Sequence, residues 1–121
     1  MSFALVIDDN KQTTDVLIQM LNLWNISARP ALSPGAAMAV LGRDTPAIVF
    51  LDINMPGVDG FEVLAYLRRE PRLAKIPVII VTSDDQPETT KRAMDEGATA
   101  VIIKPVMAEI LEKVLKKAKI I

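Results

Sequence analysis

The chain contains no cysteine and no histidine. Without cysteine there is no disulfide framework, no thiolate chemistry and no cysteine-built zinc site. Without histidine there is no serine–histidine catalysis and no phosphohistidine relay within this chain. Aromatic residues are 4% of the sequence, and Trp24, the six methionines and Phe50 are read simply as core. The formal net charge of -1 supplies no general pull toward nucleic acid or an anionic membrane. The longest apolar runs fall far short of a membrane span. No basic stretch precedes the first apolar run, so no signal peptide is expected and the expected location is cytoplasmic.

What remains is a chain of 121 residues, half of them hydrophobic. That suits a single globular domain, which at this size hides roughly two-thirds of its unfolded surface. Short apolar runs rich in β-branched residues alternate with stretches of helical spacing. The expected strands are Phe3–Ile7, Ile26–Arg29, Ala47–Leu51, Pro77–Val81 and Ala100–Ile103. Between and after them the spacing predicts helices over about Asn10–Trp24, with Val16, Leu17, Met20, Leu21 and Trp24 on the apolar face, and from Ser33-Pro34 to Leu41. A third helix begins near Gly60, a fourth spans Pro87–Glu96 with Gly97 as its stop, and a fifth runs from Met107 to about Ala118. Five strand–helix units with short connections mean an open, doubly wound parallel sheet of the α/β class, with helices on both faces. No output domain is expected after the last helix.

In such sheets ligands sit beyond the carboxyl ends of the strands, where strand order reverses. The polar candidates all lie at such ends. Asp8 and Asp9 follow the first strand, Asp52 the third, Thr82, Ser83 and Asp84 the fourth, and Lys104-Pro105 the fifth. If the first and third strands are neighbours, three carboxylates converge. Burying that cluster uncompensated would cost several kcal/mol per ion, roughly. A divalent cation is the simplest compensation, and Mg²⁺ suits a few hard oxygens together with a phosphoryl group.

The acid pair, the segment Asp52-Ile53-Asn54-Met55-Pro56-Gly57-Val58-Asp59-Gly60, the Thr82-Ser83-Asp84 run and Lys104-Pro105 stand in order along the chain. Together they resemble the receiver domain of two-component response regulators, over about Phe3 to Ala118. The resemblance implies a flavodoxin-like sheet of order 2-1-3-4-5. It implies Asp52 as phosphoacceptor, and Asp9, Asp52 and the Asn54 backbone carbonyl as Mg²⁺ ligands, with Asp8 acting through a metal-bound water. Lys104 would pair with Asp52 before the reaction and with a phosphoryl oxygen after it, and Thr82 would donate to another. Pro105 would follow a cis bond, and Asp84 and the Asn54 side chain would flank the site. A histidine kinase or histidine phosphotransfer protein would be the donor, and a target protein would read the fourth helix, fifth strand and fifth helix. The molecule would be a monomer or a weak homodimer, a regulatory phosphoacceptor rather than an enzyme.

Each residue also has a plainer reading. Asp8 and Asp9 could serve only the dipole of the first helix, and Asp52 could belong to the turn containing Pro56 and Gly57. Asp59-Gly60 reads as a turn and helix entry, and Lys104 as a surface lysine. The sequence also departs from the family at Val101, where many receivers carry Tyr or Phe as a switch coupled to the threonine. A valine has no ring to swing, so backbone shifts of the loop after the fourth strand would have to carry the signal. Two rivals follow. One is a phosphorylation-independent interaction module that keeps the fold. The other is a hydrolase of the haloacid dehalogenase type, disfavoured because Asp8-Asp9-Asn10 has no second acid in the Asp-x-Asp frame.

Overall fold

A computed structural model describes residues 2–121, so that Met1, the first residue of the expected domain, lies outside them. The chain runs β1 (Ala4–Ile7), α1 (Lys11–Asn22), β2 (Ala28–Ala31), α2 (Pro34–Leu41), β3 (Ile48–Leu51), β4 (Asn54–Met55), β5 (Val58–Asp59), α3 (Gly60–Arg69), β6 (Val78–Thr82), α4 (Pro87–Asp95), β7 (Ala100–Ile103) and α5 (Ala108–Lys117). The main sheet has the order β2-β1-β3-β6-β7, and every pairing in it is parallel. This is the expected flavodoxin-like order, with β4 and β5 added as a separate antiparallel hairpin.

The strands are buried because both faces are covered. On one face Leu5, Ile7, Val49, Leu51 and Ile80 pack with residues of α2, α3 and α4. On the other, Val6, Phe50, Ile79, Val81 and Ile102 pack with Leu17 and Leu21 of α1 and Leu111, Val114 and Leu115 of α5. Every residue of β3 and β6 is buried, as their unbroken apolar runs require. Among the described residues, no helix is long and apolar enough to cross a membrane.

The second strand lies two residues later than its apolar pattern suggests. Ile26 packs into the core ahead of the strand, and pairing begins at Ala28 opposite Ala4. Pro30 is tolerated inside β2 because this is an edge strand, paired on one side only. The methionines are not uniformly core, since Met94 and Met107 are exposed. Val16 is exposed as well, on the rim of a groove of about 440 Å³ that Pro105 and Val106 also line.

The hairpin follows from Pro56-Gly57. Proline presets φ for the first turn position, and Gly57 takes φ 79° at the next. The chain then returns so tightly that Gly60 donates its N–H to the Ile53 carbonyl at 3.1 Å. A Cβ at Gly60 would collide with the Ile53 Cα and lie 2.8 Å from the Asp52 carbonyl oxygen. Gly60→Ala is therefore expected to cost about 1–3 kcal/mol of stability. Urea denaturation checks this, and an unchanged midpoint would contradict the packing.

Candidate phosphoryl-acceptor site

β1 and β3 are direct neighbours, with Ile7 opposite Leu51. Asp8 and Asp52 therefore leave the sheet side by side, at the point where strand order reverses. Oxygens of Asp8, Asp9 and Asp52 all lie within 4.8 Å of one another. Asp8 is 3% and Asp52 5% exposed, whereas Asp9 faces solvent.

Each oxygen of the buried pair can be accounted for. Asp8 Oδ1 accepts the Asn10 N–H at 2.9 Å, which shapes the entry to α1, while Asn10 itself caps that helix through Thr13 N–H. Asp8 Oδ2 accepts Lys104 Nζ at 3.0 Å. Asp52 Oδ1 accepts the Asn54 N–H at 3.0 Å, and Asp52 Oδ2 lies 3.6 Å from Lys104 Nζ. The expected Lys104–Asp52 pair is thus present, but the closer partner of the ammonium is Asp8. In both acids Oδ1 is held by a backbone N–H and Oδ2 faces the lysine.

Burial raises the Asp52 pKa above its ordinary value. The Asn54 N–H and Lys104 oppose that rise, and the neighbouring Asp8 charge reinforces it. Lys104 is one cation set against three carboxylates in the cluster. The remainder matches a divalent cation, and an all-oxygen set of carboxylates suits a hard one.

Thr82 ends β6 and is fully buried. Its Oγ1 accepts the Asn54 side-chain amide at 3.1 Å and the Asp84 N–H at 3.0 Å. Asp84 adjoins Thr82 through its backbone, but its carboxylate turns toward α4. It accepts the Gln86 N–H at 3.0 Å and the Thr89 hydroxyl at 2.7 Å, and these bonds hold its pKa below the ordinary value. The Lys104–Pro105 bond is cis. Val101 is half-buried in β7 and packs against the core on the α2–α3–α4 side. Asp59 caps α3 by accepting the Phe61 N–H, as its plainer reading expects.

Two features were not legible from residue types alone. The first is the Asn54 amide bond to Thr82, which depends on the hairpin. The second is Arg68, which donates to the backbone carbonyls of Gly97, Ala74 and Ile76 and so ties α3 to the end of α4. One of two adjacent arginines at the end of a helix carries no signal for its carbonyl partners.

A family model described as the response regulator receiver domain matches residues 4–116. Protein PilH of Pseudomonas aeruginosa is 32% identical over 115 residues, covering 95% of this chain and 95% of that protein. Response regulator PleD of Caulobacter vibrioides is 32% identical over 102 residues. That match takes in 84% of this chain but only 22% of PleD, so the chain spans about a fifth of that relative. Among solved structures, the signal receiver domain of a DNA-binding response regulator from Colwellia psychrerythraea aligns with TM-score 0.89 and 31% identity over 97% of both chains. Chemotaxis protein CheY4 of Vibrio cholerae shares the fold, with TM-score 0.88 and 24% identity over 98% of both chains.

Proposed function

Because this chain belongs to the response regulator receiver domains, a signalling family rather than a family of turnover enzymes, we propose that it is a switch that accepts a phosphoryl group on Asp52. The observation that carries this reading is Lys104, held between Asp8 and Asp52 at the mouth of an acid cluster. An ammonium there opposes the rise in the Asp52 pKa and would pair with a phosphoryl oxygen bonded to that carboxylate.

Asp52 Oδ2 is the oxygen free of backbone hydrogen bonding and so the attacking atom. It forms a new P–O bond as the P–N bond of a partner's phosphohistidine breaks. The imidazole leaves with the electron pair and takes a proton from solvent. Asp8, Asp9, Asp52 and the Asn54 backbone carbonyl would hold Mg²⁺, which when bound neutralises the cluster and the incoming oxygens. Lys104 swings from the carboxylates to the transferred group, and Thr82 donates its hydroxyl to another oxygen. The product is an acyl phosphate, which water removes again. A histidine kinase or a histidine phosphotransfer protein would be the donor.

Phosphorylation adds about -1.5 to -2 of charge at one point. Thr82 and its loop respond, and α4 follows through Asp84, which grips Gln86 and Thr89 at its start. The face formed by α4, β7 and α5 then presents a second packing to a target protein. Val101 favours a second reading, an interaction module that binds without phosphorylation, because it lacks a ring to couple Thr82 to that face.

Fluoroberyllate with Mg²⁺ mimics the phosphoryl group and separates the two readings. Amide resonances of α4, β7 and α5 are expected to shift on its addition. A spectrum that changed only next to Asp52 would leave the interaction module standing. Pull-downs with and without the mimic would then identify the target.

A further inference from the structure

We propose that the Asn54 side chain is a positioning residue that directs the Thr82 hydroxyl proton toward the group on Asp52. This inference rests on the phosphoacceptor reading and assigns Asn54 a role through its side chain, apart from its backbone carbonyl.

A threonine hydroxyl has one proton to give and two lone pairs to receive. In Thr82 both lone pairs are engaged, one by Asn54 Nδ2 at 3.1 Å and the other by the Asp84 N–H at 3.0 Å. The proton is the one part of the hydroxyl left to interact. Thr82 is 0% exposed, so bulk water does not reorient it. A buried rotor fixed on two sides has its direction set before any ligand arrives.

Asn54 is suited to this task by where it sits. It opens the β4–β5 hairpin, and its own N–H donates to Asp52 Oδ1 at 3.0 Å. One residue thus touches the nucleophile through its backbone and the hydroxyl donor through its amide. It spans the gap between the ends of β3 and β6 and fixes the two reacting partners relative to each other.

The prearranged proton matters only when an acceptor appears on Asp52, which gives a test by coupling. Affinity for fluoroberyllate in saturating Mg²⁺ is measured by calorimetry for the wild type, Asn54→Ala, Thr82→Val and the double variant. Asn54→Ala is expected to weaken binding about three- to tenfold, the worth of one modest hydrogen bond. In the Thr82→Val background the same change is expected to have less than about a twofold effect, because no hydroxyl is left to direct. In the Thr82→Ser background, which retains a hydroxyl and is also the fallback should Thr82→Val fold poorly, the loss is expected to return. Equal losses in all backgrounds would overturn the inference alone. A wild type that bound no fluoroberyllate would overturn the phosphoacceptor reading as well.

Discussion

Asp52→Asn is expected to abolish fluoroberyllate binding, weakening it beyond about a hundredfold, and yet to make the protein more stable. Function falls because the amide cannot supply the anionic oxygen that bonds to the mimic or to phosphorus. A hundredfold corresponds to about 2.7 kcal/mol, a conservative figure for removing the bonding atom itself. Stability rises because Asp52 is a buried carboxylate beside Asp8, and burial is the largest influence lifting its pKa. Asparagine fills the same space without that charge and can still accept the Asn54 N–H. The expected gain is about 1–2 kcal/mol at neutral pH without divalent cations.

The pH dependence gives the sign. A folded-state pKa raised above the unfolded 3.8 means that the folded protein holds the Asp52 proton more tightly. The penalty is absent below the unfolded pKa and grows as pH rises through the folded one. The advantage of Asp52→Asn should therefore be small in acid and grow as pH rises. Urea titrations across that range measure it. A variant less stable than the wild type at neutral pH would mean that Asp52 is a net structural anchor.

Lys104→Met is expected to move stability the other way. The ammonium is the nearest positive charge to Asp8 and Asp52, at 3.0 and 3.6 Å. Removing it leaves two buried carboxylates facing each other. Breaking a fully buried pair costs roughly 3–5 kcal/mol, and a side chain 23% exposed lowers the expected cost to about 2–3 kcal/mol. The loss should shrink in acid, as Asp52 takes up its proton, and shrink again when Mg²⁺ is added. Mg²⁺ itself should bind the variant more tightly, by about tenfold, since it no longer competes with a resident cation at close range. Denaturation midpoints with and without Mg²⁺ report both effects. A midpoint as insensitive to Mg²⁺ as to the lysine would show that the acids are not a cation site.

These opposing effects explain why the site was so legible in the sequence. A buried acid cluster is costly to a fold, and Asp8 and Asp52, with Asp9 beside them and Lys104 opposite, stood at strand ends where the sequence made that cost visible. The unbroken apolar runs of β3 and β6 also marked the centre of the sheet unambiguously. The second strand was harder, because Ile26 belongs to the core without belonging to the strand, and Pro30 looked like an end when an edge strand can hold it. Side-chain direction was harder still. Asp84 follows Thr82 in sequence, but its carboxylate serves the start of α4. Lys104 could have met either acid, and it lies 3.0 Å from Asp8 and 3.6 Å from Asp52, a difference that residue types do not encode. Such choices depend on which backbone donors the fold brings near, and residue spacing does not encode them. Gly60 is an instructive middle case. Its place after Asp59 suggested a turn, whereas the contact that requires glycine is the close approach of Ile53 and Asp52 across the hairpin.

Intact-mass spectrometry after exposure to acetyl phosphate, followed by borohydride trapping and peptide mapping, tests phosphoryl transfer to Asp52 at its source. One phosphoryl group should appear only when Mg²⁺ is present, and the trapped derivative should map to position 52. No mass gain, a gain indifferent to Mg²⁺, or a label on another residue would contradict it.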